Sequence, residues 1–388
     1  MKRILYLSFY FEPDLCAGSF RNSPLLKELA LQTEGEATID VITTLPNRYS
    51  SFQSDATAFE SVQNYTVRRI AIPQHQSGMK DQVLAFRHYY AKVHEFVKGQ
   101  SYDLVFASSS RLFTAYLGYT IAKSRNIPLY LDIRDIFTDT LNDVLKNKFL
   151  KAGVLPVLKQ IEKRVFRYAS HINLISGGFK GYFEQYQGPA YSNFPNGIDE
   201  IFLNLPPSTV RQPGKKSIVY AGNFGEGQGL HIIIPQAAKR LESDYEFLLI
   251  GDGGAKDRLL KELTRLHVQN VHVMPPVKRS ELLQIYQKSD FFFLHLNDYD
   301  AFKKVLPSKI FEMGASDKPI IAGVAGFAQE FLRTQVPNSL VFNPGDVNTM
   351  VSLLQNYTYQ NIPRDEFKDK YKRENINREM ATSIRKYL

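Results

Sequence analysis

Cysteine is nearly absent from the chain, with Cys16 the one such residue in 388. A single thiol excludes a disulfide framework and a cysteine-ligated zinc site, and it suits a reducing compartment. No apolar run approaches the ~18 residues that a membrane span requires. The opening Met1-Lys-Arg-Ile-Leu-Tyr-Leu is too short and too polar to be a secretory h-region. The chain is therefore expected in the cytoplasm, free or lying on a membrane. The 8 histidines show no H-x-x-x-H or similar ligand spacing, so no metal is expected. Short repeats and low-complexity stretches are missing as well. What is present is ordinary for an enzyme, with 44% hydrophobic and 22% charged residues, and this excludes wholesale disorder. At about 150 residues per domain the length allows roughly two to three domains. The net charge of +9 favours an anionic partner: nucleic acid, a phosphate-rich substrate or an acidic membrane surface.

Short, β-branched apolar runs alternate with longer amphipathic stretches. Ile4–Phe9, Ile39–Thr43, Leu104–Ala107, Leu129–Leu131 and Ile172–Ile175 read as buried parallel strands. Helical spacing occupies Pro24–Leu31, Val83–Val97, Leu112–Ser124 and Leu158–Tyr168 between them. The pattern restarts with strands at Ile218–Ala221, Phe247–Ile250, Val271–Met274, Phe291–Leu294 and Pro319–Ala322, and with helices near 231–241, 255–266, 279–287 and 308–315. The Pro-rich, charged stretch from Asn204 to Lys216 is the best linker. The fold class predicted is α/β, with two Rossmann-like doubly wound domains facing each other across a cleft. The boundaries expected are 1–204, joined by a C-terminal helix at 365–388, and 205–364.

Doubly wound sheets bind ligands beyond the carboxyl ends of their strands, so the loops there matter most. Gly18, at a helix entrance with Ser19 as N-cap, would offer free N–H groups to an anion, or it is a plain strand-to-helix turn. That loop lacks G-x-G-x-x-G. The loop carrying Gly222, Gly225, Gly227 and Gly229 fits neither a Walker sequence nor a strict dinucleotide fingerprint, yet a glycine cluster between strand and helix is a phosphate-site signal. Gly251-Asp252-Gly253 is a weaker one. In Lys303-Lys-Val-Leu-Pro-Ser-Lys-Ile-Phe-Glu312, Ser308 and Lys309 would sit at a helix's positive end, where the macrodipole adds about 0.3–1 kcal/mol for a diphosphate. Glu312 lies one turn on, placed to accept ribose hydroxyls; the competing reading is a Lys–Glu surface pair.

These residues resemble the retaining GT-B glycosyltransferases of family four over nearly the whole chain. The anchors are Ala17-Gly18, Asp132-Ile-Arg-Asp135, Ser176, Pro195-Asn-Gly-Ile-Asp199, Gly222-Asn223 with Gln228-Gly229, Gly251-Asp-Gly253, Pro307-Ser-Lys-Ile-Phe-Glu312 and Phe342-Asn-Pro-Gly-Asp346. Within the family the chain looks most like the bacterial O-antigen and capsule transferases of the N-acetylfucosamine type. The resemblance implies transfer, with retention, of a sugar such as an N-acetylated deoxyhexose from a nucleotide diphosphate, UDP foremost, with no cofactor and no metal. The acceptor it implies is a polyprenyl-diphosphate-linked oligosaccharide in surface polysaccharide biosynthesis. Glu312 would bind the ribose, and Ser308, Lys309, the Leu306 backbone and Gly18 the diphosphate. Gly222, Asn223, Gln228 and Asp252 would complete the donor site, and Pro276-Val277-Lys278 would hold the base edge. Arg134 and Asp135 would face the transferred sugar or the acceptor hydroxyl, making them catalytic candidates with Lys309 and Glu312. The chain departs from the family in three places. Lys304 stands where a Glu-x7-Glu pair has its first Glu, Asn223 and Gln228 stand where many members have Arg and Lys, and Arg134 replaces a common His.

Asp298-Tyr-Asp300 reads as a solvated loop rather than a metal-binding DxD, and the aromatic helix around His88 and His94 as a cover for its sheet. The segment 146–167 interleaves Leu150, Val154, Leu155, Val157 and Leu158 with basic residues, among them Lys148, Lys151 and Lys159. Such a segment is drawn to an anionic membrane surface, here the inner face of the cell membrane, at about 1 kcal/mol per basic residue. The alternative is a core-facing helix with a solvated basic side, broken at Gly153 and Pro156. A nucleotide-sugar epimerase on the same fold is the second function to test, and a nucleic-acid-binding protein, motivated by charge alone, the third.

Overall fold

The computed structural model describes residues 1–14, 16–47, 56–73, 79–109, 112–145, 147–204 and 214–388. These form two compact units, Met1–Asn196 with Glu374–Leu388 and Gly197–Arg373. The expected boundary at 204/205 thus falls earlier, because Ile198 and Phe202 are buried in the second core. The return to the first domain falls at 373/374 rather than 364/365, because Phe367 stacks on Phe311 within the second core. Most of the expected linker, 205–213, lies outside the described residues.

The first domain runs β1 (Lys2–Ser8), α1 (Ala17–Gln32), β2 (Ala37–Thr44), β3 (Phe59–Val62), β4 (Tyr65–Ile70), α2 (Met79–Val97), β5 (Leu104–Ser109), α3 (Leu112–Arg125), β6 (Leu129–Ile133), α4 (Phe137–Val144), α5 (Lys148–Tyr168), β7 (His171–Leu174), α6 (Lys180–Phe183) and β8 (Ala190–Ser192). Its sheet has the order β3-β4-β2-β1-β5-β6-β7-β8, with β3 and β4 pairing antiparallel. The central strands are apolar on both faces because helices cover both faces, so β5 is buried throughout. Phe86 and Tyr89 on α2 are buried against Phe9, which makes α2 the expected cover for its sheet.

The second domain runs α7 (Glu200–Leu203), β9 (Lys216–Asn223), α8 (Leu230–Arg240), β10 (Tyr245–Asp252), α9 (Lys256–Arg265), β11 (Val271–Met274), α10 (Arg279–Lys288), β12 (Phe291–His295), α11 (Lys309–Gly314), β13 (Ile320–Gly323), α12 (Phe327–Gln335), β14 (Ser339–Phe342), α13 (Val347–Asn356) and α14 (Asp365–Lys370). The sheet order β11-β10-β9-β12-β13-β14 is wholly parallel. This is the doubly wound order whose direction reverses between β9 and β12, so a crevice opens beyond their carboxyl ends. Apolar clusters fill both faces of this sheet, and each fully buried Phe or Leu in them contributes about 1.5–3 kcal/mol. The last helix, α15 (Arg373–Arg385), buries Met380, Ala381 and Ile384 in the first core with Ile4 and Tyr6.

Candidate active site

In the first domain, the strand order reverses between β1 and β5, and Gly18 follows β1 in the first turn of α1. The helix is entered from Cys16, which makes no side-chain cap; Ser19, expected as the N-cap, is instead buried inside the first turn. The absence of a Cβ at Gly18 leaves room for the Arg134 side chain, since a Cβ there would lie 2.6 Å from Arg134 Nη1. Arg134 follows β6 and is half-buried; its Nε has no hydrogen-bond partner. A guanidinium stays charged at any working pH, so one held this way calls for an anion or water. Beside it in sequence, Asp135 accepts a hydrogen bond from Thr140 Oγ1 at 3.1 Å. Burial outweighs that bond and the Arg134 charge, and the carboxyl is pushed up to about 6. Its proton is therefore exchangeable near neutral pH, as acid–base work requires.

The first residue of that motif has a different task. Asp132 is fully buried and takes a two-pronged ion pair from Arg21, Nε to Oδ2 at 2.7 Å and Nη2 to Oδ1 at 2.8 Å. Asn173 and Ser108 also donate to it, at 2.8 and 3.1 Å. Burial alone would raise this carboxyl, but Arg21 outweighs it and holds it below the usual range. Arg21 also donates to the carbonyls of Phe194 and Pro195, both at 2.9 Å, so this pair fixes the start of the Pro195-Asn-Gly segment. Sequence reading found Asp132 but not its partner, because the two lie 111 positions apart.

In the second domain, the glycine loop follows β9 at the reversal point. Gly229 adopts φ +58, the left-handed region that favours glycine, and starts α8. Asn223 Nδ2 donates to Gln228 Oε1 at 3.0 Å, so these two neutral side chains brace the loop against itself. The positive charge comes from elsewhere: a Cβ on Gly222 would lie 2.6 Å from Lys309 Cε and 3.0 Å from its Nζ. Lys309 opens α11, which spans only 6 residues, and Ser308 before it makes no side-chain cap. The macrodipole expected there is correspondingly truncated, and the ammonium itself is the source of charge. Glu312 lies one turn on, half-buried, and its charge, after burial, helps keep the Tyr286 phenol protonated. Among the described residues no ion pair joins Lys309 and Glu312, so the surface pair is not what the structure forms. Lys303 is instead committed to Asp300 and Asp298, at 2.8 and 3.4 Å, on exposed side chains.

The remaining candidate residues of this domain lie at the same end of the sheet. Asp252 is paired in register with Asn223 and accepts from the Gly253 N–H at 2.9 Å. Leu306 is buried in the apolar cluster against which Val277 packs, and Pro276 lies in the connection between β11 and α10. His295 was missed by the sequence reading. Fully buried at the end of β12, its Nδ1 lies 2.7 Å from the Gln228 carbonyl, and its Nε2 accepts from the Gly345 N–H at 2.9 Å. Burial pushes this imidazole down to about 4, so it stays neutral and ties the glycine loop to the loop after β14. No spacing of histidines reveals such a role.

The basic segment forms one helix, α5, that runs unbroken through Gly153 and Pro156, contrary to expectation. It persists because Leu158, Glu162, Val165 and Phe166 anchor one side in the domain. Lys159 is exposed and Lys151 half-buried, while the side chain of Lys148 lies outside the described residues. Among the described residues no helix is long and apolar enough to cross a membrane, and no group of three His, Cys, Asp or Glu could hold a metal.

Residues 203–374 match the family model described as "Glycosyl transferases group 1". The putative colanic acid biosynthesis glycosyl transferase WcaI of Escherichia coli (strain K12) is 33% identical over 96 residues, 25% of this chain. That match spans 23% of the length of WcaI. Sucrose-phosphate synthase from Thermosynechococcus elongatus superposes with a TM-score of 0.77 at 14% identity, covering 100% of this chain and 99% of that one. Anabaena HepE, in a complex with UDP and glucose, superposes with a TM-score of 0.67 at 18% identity over 99% of both chains. Residues 203–374 are thus similar to the group 1 glycosyl transferases, and the chain as a whole has the fold of GT-B enzymes.

Proposed function

We propose that the chain is a retaining glycosyltransferase that moves a sugar from UDP to a polyprenyl-diphosphate-linked oligosaccharide in surface polysaccharide synthesis, the sugar being an N-acetylated deoxyhexose. The observation that carries this reading is the Lys309 ammonium over Gly222, one helical turn from the Glu312 carboxylate, at the reversal point of a doubly wound sheet, neither group in an ion pair among the described residues. A nucleoside diphosphate matches that pattern, with the diphosphate on the ammonium and the ribose hydroxyls on the carboxylate. HepE, bound to UDP and glucose, and WcaI, described as acting in colanic acid biosynthesis, support the donor class and the setting.

Negative charge grows on the leaving diphosphate as the glycosidic bond breaks. Lys309, the Ser308 hydroxyl and backbone N–H groups of the glycine loop offset it, and preorganised donors of this kind are usually the largest catalytic contribution. No metal is needed in this scheme. Arg134 and Asp135 serve the sugar or the acceptor hydroxyl, and the leaving phosphate assists attack on the same face. The exposed basic residues of α5 support a location on the inner surface of the cell membrane, where a lipid-linked acceptor would reside.

A thermal-shift screen of nucleoside diphosphates and their sugars tests the donor class. A ligand at about 100 times its Kd stabilises the fold by roughly 2.7 kcal/mol. UDP-sugars should shift the melt, and a screen in which no nucleotide does so would refute the reading. Product analysis without acceptor separates transfer from epimerisation, since an epimerase converts donor alone.

A further inference from the structure

We propose that the groove between α5 and the 182–186 segment binds the phosphate of an anionic lipid headgroup. The proposal rests on the membrane location put forward above and deepens it by naming what the surface holds. The groove encloses about 440 Å³, and Lys159, Lys163 and Arg167 line it from α5. Residues at four-position intervals stack on one face of a helix, so these cations form a continuous stripe. Gln160, Gln185 and Tyr186 add polar and aromatic lining. No ion pair joins Lys159, Lys163, Arg164 or Arg167 to a carboxylate among the described residues, whereas Lys92 in the same domain has Glu95 at 2.8 Å.

The apolar part of the same helix supplies the second observation. Phe149 is 92% exposed, Val157 60% and Leu150 48%. At 100° per residue these three share the half-circumference that carries Lys163, Arg164 and Arg167, while Leu158, Glu162 and Val165 point the other way and are buried. The exposed face is thus apolar over its first half and basic over its second, the combination that seats an interfacial helix on anionic lipid. Free phosphate would use the stripe alone, whereas a lipid phosphate uses the stripe and buries Phe149, Leu150 and Val157 as well.

The wall of the groove is fixed. Tyr182 donates to Glu162 Oε2 at 2.5 Å, and Thr138 Oγ1 donates to Glu162 Oε1 at 2.8 Å. Thr138 lies in α4, three positions after Asp135, so the groove is braced against the segment that carries Arg134 and Asp135.

Flotation of the 388-residue chain with vesicles tests this, using phosphatidylcholine alone and phosphatidylcholine mixed with phosphatidic acid. Binding is expected only to the mixture. Lys163→Gln with Arg167→Gln should weaken it about thirtyfold, from two basic contacts near the surface. Both sites are exposed, so the thermal midpoint should not change. Lys27→Gln with Lys98→Gln, elsewhere on the same domain, should have a much smaller effect. Inorganic phosphate should displace the protein better than chloride at equal ionic strength. Equal losses from the two double variants, or equal displacement by both salts, would mean diffuse charge and overturn the groove. If Phe149→Ser abolishes binding while the groove variant binds normally, the membrane reading stands and the groove falls. No binding of the wild type to the mixture would overturn both and leave the UDP-sugar screen to judge the transferase reading.

Discussion

Asp135→Asn should make the protein more stable in mild alkali. Burial raises this carboxyl from 3.8 in the unfolded chain to about 6 in the native state. Below pH 3.8 it is protonated in both states and adds no penalty. As pH rises through about 6 the native state must ionise a buried group, and stability is lost. The shift corresponds to at most about 3 kcal/mol, and because the side chain is only half-buried the expected loss is about 2 kcal/mol. An Asn keeps the acceptor for Thr140 and has no charge to bury. Urea unfolding of wild type and variant at pH 4 and pH 8 should show equal stability at the lower pH and a gain of about 2 kcal/mol for the variant at the higher. Contributions from other titrating groups are common to both proteins and cancel. The variant should also transfer sugar poorly at every pH, having lost its exchangeable proton. If the variant is less stable than wild type at pH 8, Arg134 outweighs burial, and Asp135 is an ion-pair partner rather than a poised acid.

His295 gives the opposite sign: its native value of about 4 lies below the ordinary 6.5, so it stabilises fully above 6.5 and loses about 3 kcal/mol as pH falls towards 4. His171, also near 4, adds to that slope, and His295→Gln should flatten it in urea titrations across the range. Arg21→Met leaves Asp132 buried without its partner and should cost about 3–5 kcal/mol in denaturant, most of it recovered when Asp132→Leu is added. Recovery in the double variant separates loss of the ion pair from loss of packing. Gly222→Ala meets Lys309 at a φ of +154 that disfavours any side chain, so it should weaken UDP binding by calorimetry and also lower the melting point.

The central strands of both sheets were legible because a strand covered on both faces reads as an unbroken apolar run, as in Phe291–Leu294, whereas the edge strands β8 and β14 were not read. Nor were β3 and β4: Phe59-Glu-Ser-Val and Tyr65-Thr-Val-Arg-Arg-Ile mix polar with apolar residues without a clean period, in keeping with a partly exposed hairpin at the sheet edge. Candidate residues in loops after strands were legible for a similar reason, since the chain order of a doubly wound sheet already brings those loops to one end. Pairings between distant positions were not. Arg21 with Asp132, and His295 with Gln228 and Gly345, exist only once the sheet is assembled. The continuity of α5 through Pro156 likewise depends on tertiary anchoring, which local propensity does not encode.

Isothermal calorimetry of UDP and UDP-sugars with wild type, Lys309→Ala and Glu312→Ala addresses the donor site most directly. Charge-assisted hydrogen bonds of about 1.5–3 kcal/mol predict losses of roughly ten- to hundredfold for each variant, with the melting point of the unliganded protein unchanged. Wild-type affinity retained in both variants would place the nucleotide elsewhere and contradict the account.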